Sequence, residues 1–295
     1  MAARFWRRIL GLALALAVAS GILLAWGFAL PAWTAVALAS VMLLAMPGAL
    51  VLASFVMART ARNPLAALPG EIVAFTLAVL AMCRGGRPFR PAQRLPATYP
   101  TRPVLLLHGL LCNHQVWRAL RPRLEAAGFG PIEAPDMEPL LVDIEALAAG
   151  VADQLRSLQR RCNGERVVIV GHSMGGLVAR LLLRDVGASA IGRIVTIASP
   201  HHGTGLARGL PGTNTGQMSC TSAWLRALNE SQENRFAVPV ASIYSTDDNI
   251  VAPAGSARLA GAELRELRGL GHFAVLRSRR ALDAIMATLS PEDPG

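Results

Sequence analysis

The chain has 295 residues, 53% of them hydrophobic, with a mean hydropathy of +0.40 and a formal net charge of +10. That balance is too apolar for an ordinary soluble enzyme, yet the length leaves room for one well-buried domain of ~190 residues beside a membrane segment. All 29 basic residues are arginine, a bias that GC-rich coding explains, and with two tyrosines and no basic stripe interleaved with aromatics the charge does not describe a nucleic-acid surface.

The apolar excess sits at the start of the chain. Residues 9–30 carry no charged side chain, and neither do residues 32–58. Each run can cross a hydrocarbon core of ~30 Å at ~1.5 Å per helical residue. The pattern therefore predicts two transmembrane helices, about 9–30 and 32–57, turning at Pro31, with Pro47-Gly48 interrupting or kinking the second. Arg4, Arg7 and Arg8 followed by Ala17-Val18-Ala19 resemble a cleavable leader, but the apolar run continues past that site, so an uncleaved anchor is expected.

Eight arginines and a single acid, Glu71, lie in the first 90 residues and supply most of the net charge. An excess of arginine marks the cytoplasmic side. A hairpin over residues 1–62 returns Arg59 and Arg62 to the side of Arg4, Arg7 and Arg8, which puts the rest of the chain in the cytoplasm of a bacterial inner membrane. A further crossing by the apolar stretch 71–83 would put it in the periplasm instead. That stretch is only about a dozen residues long, which suits an interfacial or docking helix better than a span. Arg84, Arg87 and Arg90 close it, and Pro88, Pro91, Pro96 and Pro100 mark a linker up to residue 100.

From residue 101 onward, strands and helices alternate. Strands are expected at 104–107, 131–134, 166–170, 191–197, 240–244 and 263–268, and helices at 116–127, 144–159, 175–185, 223–228 and 279–289. This order predicts an α/β domain over 101–295, doubly wound and mostly parallel, with its site at the strand C-termini. The apolar run 166–170 leads into Gly171-His172-Ser173-Met174-Gly175 and then a helix. A G-x-S-x-G motif in that context is a nucleophile elbow: the glycines permit a sharp turn that lifts the serine hydroxyl above the sheet.

A serine needs a base, and the base needs a carboxylate to orient it. Of six histidines only His272 lies well downstream of Ser173, in a glycine-flanked loop. The acid should follow the strand at 240–244, where Asp247 and Asp248 compete. An oxyanion hole needs backbone N–H donors: Met174, after the serine, is one candidate, and Leu110, after the strand at 104–107, is the other. His108 and His172 read as structural. The adjacent His201 and His202 lack a third well-spaced ligand, and the four cysteines match no zinc spacing, so no metal or other cofactor is expected. The glycine-rich loop 203–216, with Leu206 and Leu210, is a candidate flap.

The motifs HGLL at 108–111, GHSMGG at 171–176, SPHHGTG at 199–205, SIYSTDDNIV at 242–251 and GLGHFAVL at 269–276 together resemble the α/β-hydrolases of the bacterial lipase/esterase kind over about 103–289. The resemblance implies a triad of Ser173, Asp248 and His272, the D-x-[IV]-V spacing selecting Asp248, and leaves Asp247 a solvated turn residue. It implies hydrolysis of lipid or other apolar esters through an acyl-enzyme. Acyl transfer or thioester cleavage with the same triad is the alternative, as is a non-enzymatic membrane protein on a hydrolase scaffold. The N-terminal helices are expected to supply location only, so that a chain beginning near Arg90 keeps its activity on soluble esters.

Overall fold

A computed structural model of the chain describes every residue except 60, 87, 90–101, 233–234 and 290–295. Six strands form one sheet: β1 (Val104–Leu107), β2 (Ile132–Glu133), β3 (Val167–His172), β4 (Ile191–Ile197), β5 (Val240–Ser245) and β6 (Glu263–Leu267). Their spatial order is β2-β1-β3-β4-β5-β6, and each neighbouring pair is parallel. The winding reverses between β1 and β3, and open α/β sheets bind ligands beyond the strand ends at such a reversal. Leu107 is in register with Gly171, so the segments after β1 and β3 leave the sheet side by side.

Period-2 alternation explains why β1 is apolar at every position. Leu105 and Leu107 enter one core and Val104 and Leu106 the other. The first core is closed by α5 (Ile144–Arg161) and α6 (Met174–Asp185), and the second by α4 (Arg121–Ala126) and α9 (Arg279–Leu289). The strands follow the sequence pattern closely. The expected helix at 116–127 is instead a 3-10 turn, His114–Arg118, followed by α4, because Pro122 cannot donate back into a preceding turn and fits only at a helix start. The long loop after β4 holds an unexpected short helix, α7 (Thr213–Gln217), before α8 (Ala223–Gln232).

Ahead of the sheet lie α1 (Ala2–Gly27), α2 (Ala32–Ala58) and α3 (Pro64–Arg84), each long and apolar enough to cross a membrane. The turn falls at Pro31 as expected, but α2 continues through Pro47 rather than stopping there. The two helices touch through small residues: Ala17, Gly21 and Ala25 are buried on α1, and a Cβ at Gly21 would lie 2.4 Å from the Ala35 carbonyl oxygen. Close backbone approach of this kind is how helices associate where lipid removes the hydrophobic drive. Their large side chains point outward, with Leu23, Trp26 and Leu44 mostly exposed.

The third helix departs furthest from expectation. It has 21 residues rather than about a dozen, because Asn63 caps its start by accepting from the Ala66 N–H and Pro64 occupies its first position. Both ends rest on the sheet domain: the Asn63 N–H donates to Asp247, Asn113 Nδ2 donates to the Met82 carbonyl at 3.0 Å, and Gln115 Nε2 donates to Gly85 at 2.6 Å. Between them Ala74, Ala78, Val79 and Met82 form a stripe at helical spacing, in one core with Leu106, Trp117 and Val275. The start of α1 and the end of α2 are tied as well. Trp6 Nε1 donates to Leu111 O at 2.7 Å, and Asn249 Nδ2 donates to Ser54 Oγ at 2.7 Å. The linker expected up to residue 100 lies, from 90 onward, outside the described residues.

Because α3 walls one core, Met82→Ala should destabilise the sheet domain by ~2–5 kcal/mol. Denaturant titration of the full-length protein in micelles, read by protease sensitivity of the sheet domain, measures this; a helix merely lying in lipid would leave the midpoint unchanged.

Candidate active site

Ser173 sits between β3 and α6 at φ 55° and ψ −125°, a left-handed conformation that a side chain adopts only where the surroundings impose it. The imposition is steric. A Cβ at Gly175 would lie 2.1 Å from Leu107 O, and one at Gly109 would lie 2.9 Å from Ser173 Cβ. Only glycine lets the β1 loop, the elbow and the start of α6 meet this closely. The Ser173 N–H is fixed to Ile197 O on β4 at 2.8 Å, while Ser173 Oγ has no hydrogen-bond partner among the described residues.

The backbone N–H groups of Met174 and Leu110 have no acceptor among the described residues. Met174 opens α6, so its N–H is one of the free donors at a helix start, where the helix dipole adds partial positive charge. The loop carrying Leu110 is held by His108, whose Nδ1–H donates to Gly109 O at 2.8 Å and whose Nε2 accepts from the Met137 N–H at 2.9 Å. That tautomer is neutral, and burial pushes the His108 pKa down.

The loop after β5 brings Asp248 to His272, which follows β6. His272 Nδ1 lies 3.1 Å from Asp248 Oδ1 and 3.0 Å from Oδ2. Asp248 Oδ1 also accepts from the N–H groups of Ile250 and Val251, each at 2.8 Å, which fixes the carboxylate in its turn. Both side chains are buried. Burial is the largest single influence and would lower the His272 pKa, but the Asp248 charge, its hydrogen bond and the Glu71 charge together outweigh it and the net shift is upward. With Nδ1 committed to Asp248, Nε2 is the ring nitrogen without a hydrogen-bond partner among the described residues. The rings of His272 and His172, the residue before Ser173, are 4.6 Å apart.

Four interactions hold the backbone around His272. Its N–H donates to Asn249 Oδ1 at 2.9 Å, and its carbonyl accepts from His172 Nε2 at 3.1 Å. The next two N–H groups, of Phe273 and Ala274, donate to the Glu71 carboxylate at 3.0 and 2.8 Å. Glu71 belongs to α3 and is 1% exposed. The sequence reading did not single out Glu71 or Asn249. A signal existed for Glu71: a lone acid inside an apolar helix is costly unless something donates to it.

Asp247 also departs from expectation. It is not a solvated turn residue but is buried, accepting from the N–H groups of Asn63 and Gly269 and from the Thr246 hydroxyl. Burial alone would raise its pKa, but these donors hold it below the ordinary carboxylate range. Asp247 thus joins α3 to the β5 and β6 loops, whereas Asp248 faces His272. Together with Ser54 on Asn249 and Glu71 on the His272 loop, these contacts tie the N-terminal helices to the site loops, a connection that the expectation of location only did not include.

His201 and His202 do not converge on a common point. His201 Nε2 pairs with Thr196 Oγ1 at 3.0 Å inside the fold, while the exposed His202 faces Asn229. The candidate flap is pinned at both ends, by Thr204 Oγ1 donating to Ile250 O and by Asn214 Nδ2 donating to Leu140 O at 2.8 Å. Leu210, between those pins, is exposed.

A family model described as a PGAP1-like alpha/beta domain matches residues 140–262, a stretch that includes Ser173 and Asp248. A triacylglycerol lipase of Pseudomonas fragi is 29% identical over 113 residues, which is 36% of either chain, so the chain matches about a third of that relative's length. Among solved structures, the mature form of a Bacillus licheniformis lipase is similar with a TM-score of 0.58 at 16% identity, over 70% of this chain and 98% of that one. An Aspergillus fumigatus lipase B gives a TM-score of 0.59 at 20% identity, over 68% of this chain and 57% of that one. The switch point, the elbow and these likenesses lead to one conclusion: the chain has an α/β-hydrolase fold, preceded by three apolar helices.

Proposed function

We propose that the protein is a membrane-anchored serine carboxylester hydrolase acting on lipid or other apolar esters through an acyl-enzyme. The single observation that carries this reading is the Asp248–His272 contact at 3.0 Å beside the strained elbow of Ser173. Ser173 Oγ attacks the ester carbonyl carbon as its proton passes to His272 Nε2. The Leu110 and Met174 N–H groups donate to the oxyanion that forms, each contributing ~2.7–4 kcal/mol to the transition state. The intermediate collapses, the C–O bond breaks, and His272 gives its proton to the departing alcohol. Water then attacks the acyl carbon with His272 again taking a proton, and the carboxylic acid is released as Ser173 regains its hydrogen. Asp248 holds the imidazole in the required tautomer and stabilises the imidazolium.

For the helices, residues 1–62 form the anchor, with α1 and α2 as a hairpin in a bacterial inner membrane. Arg4, Arg7 and Arg8 at one end and Arg59 and Arg62 at the other stand on the side of the hydrolase domain, which favours the cytoplasm. Since α3 rests on the domain at both ends, it is read as a docking helix and adds no crossing. Cys220, exposed in the hydrolase domain, reports the side directly. A membrane-impermeant maleimide should label it only after spheroplasts are permeabilised; labelling of intact spheroplasts would reverse the orientation.

Ser173→Ala should lower ester kcat by ~10⁴-fold or more and abolish fluorophosphonate labelling, and Asp248→Asn should cost ~10²–10⁴-fold with the fold intact. Purified Ser173→Ala protein that still turns over p-nitrophenyl esters would end the reading.

The pH dependence follows from the raised pKa of His272. The base must be neutral to accept the serine proton, so kcat/KM should rise with pH through a midpoint above the ordinary histidine value of 6.5. Asp248→Asn removes the charge that favours the imidazolium and should move that midpoint down. A wild-type midpoint at or below the ordinary value would contradict the assigned pair.

A further inference from the structure

Glu71 is the one acid in the first 90 residues, and it lies on an apolar helix. Among the described residues, its carboxylate is not paired with an arginine. Phe273 N–H lies 3.0 Å from both of its oxygens, and Ala274 N–H lies 2.8 Å from Oε2. These are the first two N–H groups after His272, at the start of the 3-10 turn Ala274–Leu276, which has no side-chain cap of its own. On the other side of His272 the fit is as close, since a Cβ at Gly271 would lie 2.5 Å from the Glu71 carboxylate. One side chain of α3 thus sets the backbone on both sides of the histidine.

We propose that Glu71 is a positioning residue for His272, so that the docked helix α3 completes the catalytic site of the enzyme. The proposal rests on the serine-hydrolase reading above. Glu71 acts through the backbone and does not touch substrate. Without it, two buried N–H groups lose their acceptor and the His272 loop relaxes toward other partners. A displacement of about 1 Å at a catalytic group can cost ~10²-fold in rate without altering substrate binding. Burial pushes the Glu71 pKa up to about 7 despite these two donors, so its charge is only partly present near neutral pH, and where present it has a second effect. The charged or titratable groups facing His272 are Asp248, His172 and Glu71, and of these the two carboxylates favour the imidazolium.

The test uses the full-length protein in nanodiscs with a soluble short-chain p-nitrophenyl ester. Glu71→Ala should lower kcat by ~10–100-fold with KM within about twofold, and slow fluorophosphonate labelling of Ser173 by a similar factor. Glu71→Gln keeps a carbonyl oxygen for the two N–H groups and should recover most of that loss. In both variants the acid limb of kcat/KM should move to lower pH, by less than in Asp248→Asn, because the partial negative charge that Glu71 carries near His272 is gone.

Gly271→Ala supplies a test that does not depend on truncating Glu71. Its methyl group would push the carboxylate away, so it should also lower kcat by ~10-fold or more. In the Glu71→Ala background the same change should cost little, because the group it displaces is absent. Strictly multiplicative losses, or Glu71→Ala with wild-type kcat and labelling rate, would overturn the proposal. If Ser173→Ala abolishes turnover while Glu71→Ala does not reduce it, the inference alone fails; if Ser173→Ala remains active, the hydrolase reading fails with it.

Discussion

Everything around the candidate site depends on how the short loop bearing His272 is held. A loop histidine has no sheet ladder to fix it, so each backbone group near it needs a partner, and an imidazole that must carry a proton between two oxygens tolerates little displacement. Here the partners come from three directions: Asn249 from the β5 loop, His172 from the elbow, and Glu71 from α3. Two of the three are themselves held elsewhere, Asn249 by Ser54 of α2 and His172 by its place at the end of β3. Asp248, His272 and the apolar helices therefore form one hydrogen-bonded unit, although the chain separates Glu71 from Phe273 by 202 positions.

This unit changes the meaning of the N-terminal third. A hydrophobic anchor needs only enough apolar residues to stay in the bilayer. Helices α1 and α2 have that character over most of their length, with large aliphatics facing outward and small residues between them. Helix α3 has a different one. Its alanines, Val79 and Met82 pack with Leu106 and Trp117, and its one acid is buried against the loop after β6. Burying a carboxylate in an apolar helix is unfavourable unless donors meet it, and two N–H groups do. The arrangement couples the placement of the apolar helices to the geometry of His272.

The sheet was legible in the sequence because its signals are local. Short β-branched runs bounded by glycine or proline specify buried parallel strands, and 191–197 matches β4 residue for residue. Ser173, Asp248 and His272 could be proposed from the sequence because a nucleophile elbow and an acid–base pair impose residue types at fixed chain order. What the sequence hid is long-range. Asp247 and Asp248 are adjacent and chemically identical, and only the fold aims one at Asn63 and the other at His272. Pro64 and Pro69 disguised the first turns of α3, whose capping by Asn63 a purely apolar-run criterion misses. Glu71 was visible as an isolated acid, but nothing near it in the chain names its partners.

The most direct measurement is the structure of the full-length protein after reaction with a fluorophosphonate. The account predicts phosphorus bonded to Ser173 Oγ, with the phosphonyl oxygen ~2.7–3.1 Å from the N–H groups of Leu110 and Met174. Glu71 would remain on Phe273 and Ala274. An adduct on another residue, or a phosphonyl oxygen turned away from both N–H groups, would contradict it.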